Sequence, residues 1–410
     1  MNVAERTGIR ERMAADRTNW PLVGLGVALG AFSAYQQFKL PPILPDFLAR
    51  YPHDPVTAAG FMSIYALVGL LVSAPIGQRL DKHIGRGVTA LLILTVTGVT
   101  VALIAPQSGT AMLVSRGLEG LAFAFGAIAG PSIATRAASP RDLPLVTGLL
   151  AGWIPMGQIP AALLALIVDW RGLWIAGLVA VLPLGIWAWR LLGQGAEPRA
   201  AARSAPRQPN ATEKRQLLLA GTVFLLWSAQ YFAFMTWLTQ YLTGTLALSR
   251  TASVLAYLTP VVVLLGFNIL TGIGLRHRLP LMPALIVALM SQAAIWLAQP
   301  WLSGAVGVVG LVLYGIGAGV TPTCLFHTPH AIAQRQSGGA GGAAFFGILM
   351  TGRNIGVFIG PILLAWLIGH ERYALDLGWT VSARVIAVGI LAAALVACAL
   401  ARSLNQHAAR

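Results

Sequence analysis

Read from its N-terminus, the chain alternates between long apolar runs and short breaks that are polar or carry glycine and proline. A helix rises about 1.5 Å per residue, so crossing roughly 30 Å of hydrocarbon takes roughly 20 residues. Twelve runs meet that length: 20–42, 56–78, 88–105, 110–133, 144–168, 172–192, 216–242, 251–275, 280–298, 302–331, 341–369 and 380–402. The fifth and sixth are parted only by the turn Asp169-Trp170-Arg171-Gly172. The pattern predicts an all-α membrane protein with twelve transmembrane helices. The first 19 residues are polar and mixed in charge, and no small-residue cleavage site follows the first run. That run therefore reads as a retained helix rather than a signal peptide.

Composition agrees with the pattern. Of 410 residues, 57% are hydrophobic and 10% charged, with mean hydropathy +0.73; soluble domains carry about 25% charged residues. The net charge of +15 would suit a nucleic-acid binder, but its distribution points elsewhere. With the N-terminus inside, the inner segments hold 20 of the 28 Lys and Arg, the outer segments five, and three are embedded: Lys39, Arg116 and Arg353. Cytoplasmic loops are enriched in Lys and Arg, so both termini are expected in the cytoplasm. The excess charge reads as topology and contact with anionic lipid, with no nucleic-acid partner expected. Cys324 and Cys398 both sit in apolar runs and build neither a disulfide framework nor a metal cluster.

The longest polar stretch, 193–215, is rich in Ala, Pro, Arg and Gly and suits a flexible linker. It divides the chain into a cytoplasmic tail 1–19, a six-helix half 20–192, the linker, a second six-helix half 216–402 and a tail 403–410. A faint internal repeat supports that division. Phe32-Ser33-Ala34-Tyr35-Gln36 in span 1 pairs with Trp227-Ser228-Ala229-Gln230-Tyr231 in span 7. GLLAGWIPMG from Gly148 pairs with GILMTGRNIG from Gly347, which matches Gly157 with Gly356 and Ile154 with Arg353.

After span 2 the chain reads Gly77-Gln78-Arg79-Leu80-Asp81-Lys82-His83-Ile84-Gly85-Arg86. This resembles the signature between helices 2 and 3 of the major facilitator superfamily (MFS), with four residues from Asp81 to Gly85 where the family usually has three. Twelve spans, two halves and a basic central linker are similar to that family too. In the second half, Gly274-Leu275-Arg276-His277-Arg278 has lost the acid. The resemblance implies the MFS fold and a gating network of Gly77, Asp81, Lys82 and Arg86 that holds the inner side shut. A bare topological cluster is the alternative. Span 4 holds Arg116-Gly117-Leu118-Glu119-Gly120, similar to a second superfamily motif associated with proton coupling, with Glu119 in place of the usual Gln. Arg116 and Glu119, at i and i+3, are neighbours on a helix. They form either a self-neutralising pair or a proton-coupling site.

A charge at the bilayer centre costs at least roughly 2.5–3.5 kcal/mol, so it normally faces a cavity or a partner. Arg353 lies about 12 residues, or roughly 18 Å, along its helix. Gly352, Gly356 and Gly360 recur every four residues, a stripe that permits close helix packing. Arg353 is about 100° off that stripe, which aims it elsewhere, into a central cavity by expectation. Lys39 precedes Pro41 and Pro42 and either snorkels to headgroups or meets substrate, beside Tyr35 and Gln36. In the family, spans 1, 4, 7 and 10 line the cavity. On span 7, Gln230, Phe234, Trp237 and Tyr241 share one helical face and are expected to line it. His327 and His330 on span 10 are candidates for proton relay, structural hydrogen bonding being the alternative, and make a weak metal site.

No nucleophile–base set appears, and Gly338-Gly339-Ala340-Gly341-Gly342 lacks the Lys-Ser/Thr of a nucleotide loop. Neither an enzyme nor a cofactor is expected. Embedded cations outnumber embedded acids three to one. The expected function is secondary transport of a small anionic solute by alternating access, with proton coupling open, by a monomer in a bacterial inner membrane. A proton-coupled exporter of amphipathic compounds and a non-transporting receptor or assembly factor remain as alternatives.

Overall fold

The computed structural model describes residues 17–80, 84–139, 141–193, 208–337, 343–370 and 375–406. Its regular elements are helices: α1 Trp20–Phe38, α2 Leu44–Arg50, α3 Pro55–Leu80, α4 Ile84–Ile104, α5 Gly109–Ala137, α6 Leu143–Ala151, α7 Trp153–Ala165, α8 Trp170–Leu192, α9 Ala211–Gly244, α10 Arg250–Arg276, α11 Leu281–Ala298, α12 Gly304–Ser337, α13 Ala343–His370 and α14 Leu375–Gln406. Among the described residues, nine helices are long and apolar enough to cross a membrane, namely α4, α5 and α8–α14. α7 and the Pro55–Gly69 part of α3 are shorter apolar helices.

Polar side chains set the helix starts. Asn19, Ser108, Asp169 and Ser249 each accept a backbone N–H of the first turn, and Asn210 with Glu213 forms a capping box. Such caps satisfy donors that a helix start leaves unpaired. Asp169 therefore begins α8 at Trp170, two residues before the predicted start.

Two predicted runs are interrupted. The first run ends as α-helix at Phe38, followed by a 3-10 turn Pro41–Ile43 and the short α2. Pro41 and Pro42 lack the N–H groups that would continue the ladder. The run 144–168 breaks at Gly152 into α6 and α7. Pro155 has no N–H to offer the Ala151 carbonyl, and the Gly152 N–H turns back to Leu149 and Leu150.

The N-terminal helices α1–α8 pack mainly among themselves, as do the C-terminal helices α9–α14. The two groups meet along α3 with α13, and α7 with α10. α1 and α9 are inner helices, whereas α8 and α14 expose Leu182, Trp189 and Leu395, each about 70% accessible. An apolar outer surface is what a bilayer requires.

The glycine stripe makes α9 and α13 the most intimate pair. A Cβ at Gly352, Gly356 or Gly360 would fall within 2.1 Å of the Gly221, Leu225 and Ala229 carbonyl oxygens, respectively. Gly157 on α7 stands 2.1 Å by the same measure from the Ala31 carbonyl on α1. The residues that the internal repeat matches, Gly157 and Gly356, thus perform the same packing task against α1 and α9.

Candidate functional site

The embedded charges fall into two groups with different states of satisfaction. The first lies inside the N-terminal helices. Lys39 caps the C-terminus of α1, and its Nζ donates to Gln36 Oε1 at 2.6 Å and Glu119 Oε1 at 2.5 Å. It also lies 4.3 Å from the centre of the Trp174 ring. Glu119 Oε2 accepts from Arg116 Nη1 at 2.5 Å and the Tyr65 hydroxyl at 2.8 Å. Arg116 also donates to the carbonyls of Phe61, Gln36 and Gln37 at 2.8–2.9 Å. Lys39 and Arg116 are 0% exposed and Glu119 1%.

The local sequence explains why a guanidinium fits there. The Gln37 carbonyl would ordinarily receive the N–H of Pro41, which has none. Arg116 Nη2 donates in its place. The carbonyl end of α1 also carries partial negative charge, so two cations gather at it around one carboxylate. Arg116 and Glu119 are the i, i+3 pair that their spacing suggests.

The second group lies where the helices of the two groups meet. Arg353 on α13 is 6% exposed. Its Nη1 donates to Asn354 Oδ1 at 3.1 Å, and its guanidinium lies 5.5 Å from the Phe232 ring centre. Nη2 is buried without a partner. Phe232 on α9 packs at 5.6 Å against Phe38 of α1. Nearby, the fully buried Gln158 of α7 donates to the Tyr257 hydroxyl at 2.7 Å and accepts from the Tyr231 hydroxyl at 3.4 Å. Toward the α1–α2 end, Thr239 Oγ1 donates to the Pro41 carbonyl. Arg250 there pairs with Asp46 at 3.0 Å and donates to the Ala165 and Val168 carbonyls at 2.8 and 2.6 Å.

The structure does not gather all the predicted binding residues at this junction. Lys39 and Gln36 are held in the charged cluster, and the Tyr35 hydroxyl donates to the Leu173 carbonyl at 2.8 Å. The face of α9 that carries Gln230, Phe234, Trp237 and Tyr241 turns into the C-terminal helices. Gln230 Oε1 accepts from Trp296 Nε1 and the Tyr314 hydroxyl, both at 2.8 Å. Phe234 packs on Tyr314 at 4.0 Å, Trp237 Nε1 donates to the Pro361 carbonyl at 3.1 Å, and Tyr241 meets Trp379 at 4.9 Å. The face is periodic because it packs on side chains and a carbonyl of α11–α14, and periodicity does not say which neighbours it packs on.

His327 and His330 are exposed on α12, with the His330 ring 5.3 Å from Phe346 of α13. Among the described residues, no group of three or more His, Cys, Asp or Glu is placed to hold a metal. Of the expected gating residues, Asp81 and Lys82 lie outside the described residues, Gly77 lies in the last turns of α3, and Arg86 is exposed at the start of α4.

Sequence reasoning passed over Gln158, Tyr231, Tyr257, Tyr65 and Trp174. Gln158 carried the clearest signal, a lone amide inside the apolar run 144–168, because a buried amide needs partners.

The chain matches the profile of the Major Facilitator Superfamily over residues 27–361. No curated protein sequence matches it. Among solved structures it resembles a bacterial homologue of the human lysosomal transporter Spinster in an inward-facing, occupied conformation. There the TM-score is 0.73 at 14% identity, covering 94% of this chain and 97% of that one. A bacterial Spinster homologue in an inward-facing, unoccupied conformation gives 0.71 at 15% identity, covering 94% and 97%. The human organic anion transporter MFSD10 (TETRAN) gives 0.67 at 14% identity, covering 92% and 99%. At such identities the likeness is one of fold. The family profile covers most of the chain and the helical architecture agrees with it, so the protein belongs to the Major Facilitator Superfamily.

Proposed function

We propose that the protein is a secondary transporter that carries a small organic or inorganic anion by alternating access. In this reading twelve helices cross the membrane with both termini cytoplasmic, and the halves 20–192 and 216–402 rock about their junction. The observation that carries the anion reading is Arg353. It is buried where the two groups meet, bonded only to a neutral amide, and has one guanidinium nitrogen unpartnered. A buried cation of this kind is stabilised by a charge-assisted hydrogen bond to an anion, whereas the cations of the N-terminal cluster already have acceptors.

The ties through Pro41, Asp46, Ala165 and Val168 sit at the end expected to face outward. This supports an inward-facing state, the state of both Spinster homologues. Asp81, Lys82 and Arg86 would then act at the opposite end as the inner gate. The amphipathic-exporter reading needs the aromatic face of α9 at the transport path. That face lies inside the C-terminal helices, which favours the anion.

The test is a thermal-shift screen of purified protein against carboxylates, phosphates, sulfonates and lipophilic cations, followed by uptake into proteoliposomes. At least one anion class should stabilise the wild type. Arg353→Gln should lose that shift and at least tenfold in uptake, with Arg353→Lys intermediate because it keeps charge without the planar fork. Equal anion shifts in wild type and Arg353→Gln would overturn the assignment, as would stabilisation by cations alone.

A further inference from the structure

The C-terminal helices enclose a cavity of about 530 Å³ that the proposed transport path does not use. Its floor is the α9 face of Phe234, Trp237 and Tyr241, with Trp296 behind. Its walls are α10, through Leu255 and Ala256, and α12, through Val308 and Leu311. Leu255 and Val308 are 51% and 52% exposed. The cavity therefore opens sideways between α10 and α12, where the surroundings of a membrane-spanning bundle are hydrocarbon.

Its dimensions suit one chain of a bilayer lipid. The lining on α12 runs from Gly304 to Tyr314, ten steps of rise or about 15 Å along the helix. That is half of the roughly 30 Å hydrocarbon thickness, the depth of one leaflet. The volume lies within the roughly 300–1,000 Å³ of ordinary ligand pockets. The lining is graded. Tyr314 and Trp296, 0% and 4% exposed, lie deep, while Gln299 and Ser303 stand at the loop end, where the Oε1 of Gln299 is buried without a partner. Trp301, two residues on and 72% exposed, is the residue type that settles at headgroup level. We propose that this crevice binds one acyl chain of a phospholipid from the surrounding leaflet, with a headgroup hydroxyl or glycerol near Gln299.

The test uses the full chain in proteoliposomes of phosphatidylglycerol that carries a diazirine on one acyl chain, with adducts mapped by peptide mass spectrometry. Bulk lipid reaches Leu255 and Val308 but not Trp296 or Tyr314, which are 4% and 0% exposed behind the walls. Adducts on Trp296 or Tyr314 are the expected result. Ala256→Phe fills the crevice and should cut those inner adducts at least tenfold while leaving adducts on exposed α8 and α14 unchanged, which also shows that the variant is folded. Leu255→Phe, on the rim, should leave them within about twofold. Inner adducts absent from the wild type, or undiminished in Ala256→Phe, would overturn the proposal. So would loss of inner adducts on adding a water-soluble anion that stabilises the protein, since the cavity would then belong to the solute.

Discussion

Glu119→Gln tests whether the charged cluster holds the N-terminal helices together. Glu119 accepts from Lys39, Arg116 and Tyr65, and all three ionisable side chains are sealed from solvent. Glutamine offers one oxygen where glutamate offers two, and its NH₂ must face either Lys39 or both Arg116 and the Tyr65 hydroxyl. Arg116 keeps three carbonyl acceptors, whereas Lys39 keeps only Gln36 Oε1 and the Trp174 ring. Lys39 is therefore left as the poorly compensated buried charge. Breaking a buried pair from one side costs about 3–5 kcal/mol, or roughly two to three and a half orders of magnitude in the folded fraction. Lys39→Met is isosteric and apolar, and in the double variant the glutamine NH₂ can donate to the freed Gln36 Oε1. The double variant should therefore be more stable than additivity predicts by about 1–3 kcal/mol, the usual range for coupled neighbours. The assay is unfolding of the purified variants against rising SDS mole fraction, followed by tryptophan fluorescence. Strict additivity of the two substitutions, or a Glu119→Gln loss below about 1 kcal/mol, would refute the reasoning. Uptake driven by a pH gradient adds a second readout. If Glu119 carries protons, the double variant recovers stability without recovering coupled uptake.

Gly356→Ala would place a Cβ 2.1 Å from the Leu225 carbonyl and should destabilise by about 1–3 kcal/mol through overpacking; Gly266→Ala, with nothing within 4 Å, should be neutral or stabilising in the same SDS titration. Gln158→Leu removes both hydrogen bonds to Tyr257 and Tyr231 and should shift the carrier toward outward opening. A cysteine at Ile154, in a background without Cys324 and Cys398, should then react faster with an impermeant maleimide from the Asp46 side, and an unchanged rate would remove Gln158 from that closure. Asp46→Asn breaks an ion pair whose side chains are 52% and 43% exposed, so its stability should change by less than about 1 kcal/mol on SDS unfolding.

The helices were legible because a bilayer imposes a length: among the described residues each predicted run lies mostly on helix, although nine helices rather than twelve are long and apolar enough to cross a membrane. The two interruptions were written in Pro41-Pro42 and Pro155, but a run-length criterion does not weigh prolines. The glycine stripe and the Arg116–Glu119 pair were legible because both follow from positions on a single helix. The Lys39–Glu119 bond was not, since it spans 80 residues of sequence and depends on how α1 lies against α5. The α9 face shows the same boundary: its periodicity announced a packed face, and only the fold shows that its neighbours lie on α11–α14.

The two groups of helices share a packing device and differ in charge, and the difference bears on where an anion would bind. Gly157 lets α7 lie on α1, and Gly356 lets α13 lie on α9. Around this common frame, α1 ends in prolines, so its last carbonyls require outside donors and draw in Arg116. The embedded cations of the N-terminal helices, Lys39 and Arg116, thus have hydrogen bonds committed to the protein. α9 instead continues as helix through the corresponding stretch to Gly244 and leaves no such carbonyls to answer Arg353. A guanidinium needs acceptors wherever it is buried. One that the fold does not satisfy, at the seam between two groups of helices, is the group that the proposed transport reading leaves for a solute to complete.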